Sequence, residues 1–97
     1  MFVTGRSIHY TQLRDLPPED VYFREWNTYR RELPRLLEEG HEGKVALIKG
    51  EEIISIWATW EEALSEGVRL GLDIPFMVKP IHEHEPLLRV PHYFYYA

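Results

Sequence analysis

Ninety-seven residues carrying 11 Lys+Arg against 16 Asp+Glu make a small acidic chain of net charge −5. That length suits one domain, the charge opposes a phosphate-tracking surface, and the lack of cysteine removes disulfide frameworks, thiolate metal sites and thiol nucleophiles. No apolar run approaches the ~20 residues of a membrane span, and Met1-Phe2-Val3-Thr4-Gly5-Arg6 lacks the apolar core of a signal peptide, so the expectation is a cytoplasmic α+β protein.

The chain reads as one domain over 1–97, with a core at about 19–81, an N-terminal arm at 1–18 and an aromatic tail at 82–97. After the Pro17-Pro18 breaker, Tyr22, Trp26, Tyr29, Leu33, Leu36 and Leu37 recur at helical spacing on one face. Pro34 interrupts that face, because proline removes the N–H that would reach the Arg30 carbonyl. The pattern predicts a kinked or two-part helix over 19–39, closed by Gly40. Val45-Ala46-Leu47-Ile48, a turn at Lys49-Gly50-Glu51-Glu52 and Ile53–Ala58 form a hairpin with apolar residues on both faces. One face needs helices; the other is open to the termini or to a second subunit.

Thr59-Trp60-Glu61-Glu62 has capping-box spacing, and its two glutamates suit the positive end of a helix. Ala63, Leu64, Gly67 and Val68 make the apolar stripe, and Gly71 closes the helix. Ile74–Ile81 is the third strand, and the prolines near both ends place it at a sheet edge or limit its pairing. The fold class is α+β: an α-β-β-α-β core, a mainly antiparallel three-stranded sheet packed on helices, and arms at both ends available to add strands.

Glu32-Leu33-Pro34-x-Leu36-Leu37, Gly43-Lys44-Val45-Ala46-Leu47-Ile48-Lys49-Gly50, Thr59-x-x-Glu62-Ala63-Leu64 and Phe76-x-Val78-x-x-Ile81 together resemble a set of short uncharacterised bacterial proteins. The resemblance covers about residues 32–81. Some of those proteins resemble genomic neighbours of retropepsin-like aspartic proteases, which implies an accessory role. No catalytic residue comes with the resemblance, and this chain has no Asp-Thr-Gly or Asp-Ser-Gly of its own.

Catalytic patterns are weak. Glu38-Glu39, Glu51-Glu52 and Glu61-Glu62 read as a helix end, a turn and a dipole cap rather than as carboxylates held in different environments. Ser7, Ser55 and Ser65 lie in no nucleophile elbow. Gly40-His41-Glu42-Gly43-Lys44 is not a Walker A loop and reads as a cap leading into a strand. Arg24, Arg30, Arg31 and Arg35 alternate with Glu25, Glu32, Glu38 and Glu39, the pattern of a salt-bridged helix face rather than a nucleic-acid surface.

His82 and His84 project to one side if extended and could begin a divalent transition-metal site, completed by His41, His92 or a carboxylate. The tail Tyr93-Phe94-Tyr95-Tyr96 places four rings in succession, too many for one core face, and Trp26 and Tyr29 join them as interaction-surface candidates. The leading expectation is a non-enzymatic protein–protein interaction or accessory module, self-associating or bound to another protein through its aromatic arms, with no nucleic acid, membrane or obligatory cofactor. The alternative is a small metal-binding protein or metal-dependent enzyme using His82 and His84.

Overall fold

The structure, a computed structural model, describes residues 7–73, 75–86 and 94–95, with only the backbone of Ser7, Pro86, Phe94 and Tyr95. In chain order the elements are β1 (Ser7–His9), a 3-10 turn (Tyr10–Gln12), α1 (Phe23–Glu38), β2 (Val45–Lys49), β3 (Glu52–Trp57), α2 (Trp60–Arg69), β4 (Phe76–Pro80), β5 (His84–Pro86) and β6 (Phe94–Tyr95). The main sheet runs β3-β2-β4-β6 with every pairing antiparallel. The third strand of the core therefore lies against the first strand of the hairpin. β1 and β5 form a separate antiparallel ribbon. Among the described residues no helix is long and apolar enough to cross a membrane.

Each face of the sheet has its own helix. Tyr22, Trp26, Tyr29, Leu33 and Leu36 of the α1 region pack on Ala46, Ile48, Met77 and Ile81. On the other face Ala63 joins Val45, Leu47, Phe76 and Val78, with Leu64 and Trp60 packed beside them. The second face, expected to await the termini or another subunit, is thus covered by α2. The N-terminal arm seals the first cluster through Tyr10, Leu13 and Leu16, and the Trp26 indole N–H ties it down by donating to the Arg14 carbonyl at 2.8 Å.

α1 is one helix through Pro34, not two. Pro34 is exposed, so water can satisfy the carbonyl that its missing N–H abandons. The helix starts at Phe23 because Asp20 caps the preceding turn, its carboxylate accepting from Tyr22 N–H at 2.8 Å. Both helices end in the same 6→1 and 5→2 pattern. His41 N–H reaches Leu36 O and Gly40 N–H reaches Leu37 O; Leu72 N–H reaches Gly67 O and Gly71 N–H reaches Val68 O.

The capping box forms as its spacing requires: Glu62 N–H donates to Thr59 Oγ1 and Thr59 N–H donates to Glu62 Oε1, both at 3.1 Å. Gly67 is where α2 meets the sheet. A Cβ there would lie 2.6 Å from Phe76 Cε1, inside any tolerable contact. β3 carries a bulge opposite the Leu47–Ile48 step, so Leu47 faces Ser55 while Ile48 faces Ile53. The extra residue explains why Ile53 and Ile56, an odd number apart, both pack toward α1, while Ile54 and Trp57 pack toward α2.

Thr59→Ala is expected to cost ~1 kcal/mol through the lost cap, and Gly67→Ala ~1–3 kcal/mol through overpacking against Phe76. Urea unfolding of the two variants checks both, and a wild-type midpoint for Gly67→Ala would overturn the close approach of α2.

Candidate functional site

The residues singled out by the sequence fall into different environments. Trp26 and Tyr29, expected to present rings to a partner, are 8% and 0% exposed. They stack with centroids 5.8 Å apart inside the α1 cluster, because the face that carries them is the one the sheet covers. The arginines flank that face outside the core: Arg35 bridges Glu32 and Glu39, Arg31 bonds Glu32, and Arg30 pairs with Asp15. Hydrogen bonds from Arg35 first, then Arg31, hold the Glu32 carboxyl below its ordinary range. Phe94 and Tyr95 pair through their backbone with Met77 and Phe76; Tyr93, Tyr96 and His92 lie outside the described residues.

His82 and His84 have separate surroundings. His84 is exposed and sits across the ribbon from His9, with ring centroids 5.1 Å apart. His82 is half-buried next to the core, its N–H directed at the Tyr29 hydroxyl at 3.4 Å. Among the described residues no three His, Cys, Asp or Glu side chains gather as a metal site.

The strongest electrostatic feature lies under the ribbon. Lys79, in the middle of the sheet, has no exposed surface. It is opposite Ala46, whose small side chain leaves it room. Its Nζ donates to both Glu85 carboxylate oxygens at 2.8 and 2.9 Å and to the Pro80 carbonyl at 2.9 Å, and it stands 4.7 Å from the Tyr29 ring centroid. Burial pushes the lysine below its ordinary pKa, and Glu85 opposes that shift. With every donor direction occupied and no access to solvent, this ammonium is an anchor for β5 rather than a nucleophile.

Two other buried polar groups tie the hairpin to α1. Glu25 accepts from Gly50 N–H at 2.7 Å, and Thr28 Oγ1 lies 2.6 Å from the Gly50 carbonyl.

The surface with features suited to a partner is the β3 side of the sheet. Among the described residues no strand pairs with the outer side of β3, and Ile53, Ile54, Ser55, Ile56 and Trp57 are each partly exposed. Trp57, the last residue of this edge strand, packs against the α2 cluster and stays partly exposed. Beside it runs an open groove of about 340 Å³ lined by Trp57, Glu61, Glu62, Ser65, Glu66 and Arg69. Arg69 donates to both Glu66 oxygens at 2.8 and 2.6 Å, which holds that carboxyl below its ordinary range.

Comparison with protein-family models, with curated proteins and with solved structures gives no match to this chain. Sequence reasoning missed Lys79 and Glu85 as a pair, although a lysine amid Phe76, Met77 and Val78 is a signal that a buried strand holds a charge needing a partner. It also missed the β3 edge, which depends on the strand order.

Breaking the buried pair is expected to cost ~3–5 kcal/mol in Lys79→Ala or Glu85→Ala, and the double change Lys79→Met with Glu85→Leu should recover most of it. Urea unfolding tests this; singles no worse than surface variants would remove the anchor. His82 gives the pH dependence. Loss of solvent chiefly, and the Lys79 ammonium next, hold its pKa below 6.5, with Glu85 and Glu42 opposing. The folded chain therefore takes up that proton less readily than the unfolded chain, and stability falls as pH drops just below 6.5. His82→Gln should flatten the slope between about pH 7 and about pH 5 in thermal melts; an unchanged slope would assign it to other groups.

Proposed function

We propose that the protein is a non-enzymatic protein–protein interaction module that receives an extended segment along the outer side of β3. The observation that carries this reading is the partly exposed strand Glu52–Trp57 at the end of the sheet, with no strand on its outer side among the described residues. An edge of this kind offers a row of backbone donors and acceptors to another chain, and side-chain pockets beside it give selectivity. At the other end of the sheet the outermost strand, β6, is only two residues long, so β3 offers the longer open edge. An accessory role is also what the resemblance of residues 32–81 implies.

The test is selection of short extended peptides from a random displayed library, followed by amide chemical-shift mapping on the intact chain. Shifts confined to Ile53–Trp57 and the start of α2 are expected. Selected peptides that move only α1 or the β1–β5 ribbon would overturn the reading. Sedimentation of the chain alone is the companion measurement: a monomer at micromolar concentration is expected, and a stable dimer protecting the β3 amides would make a second copy the occupant.

A further inference from the structure

We infer that the segment received by β3 is cationic: an extended stretch of another protein whose lysine or arginine side chain lies over the Trp57 ring beside Glu61. This rests on the reading of β3 as a docking edge and names the chemistry of its partner.

Trp57 closes β3 with its side chain on the α2 side of the sheet, partly exposed and lining the groove. Its indole N–H is committed to Ser55 Oγ at 2.7 Å. The ring is thereby oriented, and what it offers a ligand is the part that lines the groove, indole being the best aromatic ring for a cation. Glu61 lines the same groove from the first turn of α2, and among the described residues its carboxylate has no hydrogen-bond or ion-pair partner. Glu62 is spent on the Thr59 cap and Glu66 on Arg69, yet both keep their charge in the groove. Three carboxylates against one guanidinium therefore surround an apolar floor. They lie in the half of the chain, residues 51–97, that carries all of the net charge of −5. A cation here meets an indole face and an uncommitted carboxylate together, whereas a phosphate or an acidic peptide meets repulsion.

A second copy of the chain is the poorer occupant. Antiparallel pairing of β3 with itself sets the Trp57 end of one chain, with its Glu61, against the exposed Glu51-Glu52 end of the other, carboxylates facing carboxylates. It also brings two bulges at Ile54 into one ladder, and a bulge already leaves ladder groups unpaired. A short foreign segment needs only the regular stretch Ser55–Trp57 and the groove beside it.

The experiment is fluorescence anisotropy of the full chain with three labelled hexapeptides: alternating lysine–valine, alternating serine–valine and alternating glutamate–valine. The lysine peptide should bind tightest, weaken with added salt and shift the β3 amides. Glu61→Lys, an exposed change in the first turn of α2, should weaken it about fivefold, the upper worth of one exposed ion pair, with the thermal melt lowered by only a few degrees through the lost interaction with the helix dipole. Trp57→Phe, which keeps a ring and the fold, should weaken it less than Glu61→Lys and leave the serine peptide unaffected. Equal binding of all three peptides at β3 would overturn the cationic partner while leaving the docking edge in place. If no peptide moves the β3 amides, the docking edge itself falls. Tight binding of the lysine peptide that Glu61→Lys leaves unchanged would also overturn the inference, since the cation would then lie elsewhere.

Discussion

Strand β2 has no side left for water. Val45 through Ile48 are at most 5% exposed, with β3 and β4 on the two edges and a helix on each face. A strand so placed can be apolar at every position, and its burial supplies the central driving force of the fold. The remaining architecture follows from the need to cover it. The two helices must lie on opposite faces, the loops that deliver them must be short, and the hairpin must be held against α1. Glu25 and Thr28 perform the last task by satisfying both backbone groups of Gly50. A turn that would otherwise rely on solvent is made part of the interior hydrogen-bond network.

The interior is not uniformly apolar. Lys79 and Glu85 are only six residues apart in sequence, so closing the loop between them costs little chain entropy, but desolvating both charges is expensive. What the pair supplies is position. The chain leaves β4, turns at Ile81–Glu83 and must return with Glu85 at the one place where the ammonium waits. Ile81 N–H bonds the Lys44 carbonyl and Gly43 N–H bonds the Ile81 carbonyl, which sets the direction of that turn. β1 then pairs with β5, so the placement of the N-terminal arm depends on the same ion pair.

Local features were legible in the sequence because local rules produce them. The capping box at Thr59, the glycine closures of both helices, the hairpin and the apolar face of α1 all involve residues within a few positions of one another. Pro34 left one kinked helix and two helices both open, because its cost depends on whether the freed carbonyl meets water, which is a tertiary fact. The destination of the Tyr29 and Trp26 face was equally invisible: periodicity identifies an apolar face but does not say whether it meets a sheet or a partner. The bulge in β3 breaks the two-residue alternation on which strand faces are read, so the orientations of Ile54 and Trp57 were beyond pattern reasoning. The β3 edge was hidden for a simpler reason, since strand order is set by how three strands and two helices share one core.

Gly67 and Phe76 belong to different elements, yet they share a single volume. The aromatic ring fills the space that any side chain at 67 would occupy. Neither position is therefore free to drift alone. Among chains that keep this fold, a methyl group at 67 calls for a smaller residue at 76, while a phenylalanine at 76 calls for glycine at 67. Such a covarying pair would identify a relative of this chain even where the caps, the charges and the edge residues had all been replaced.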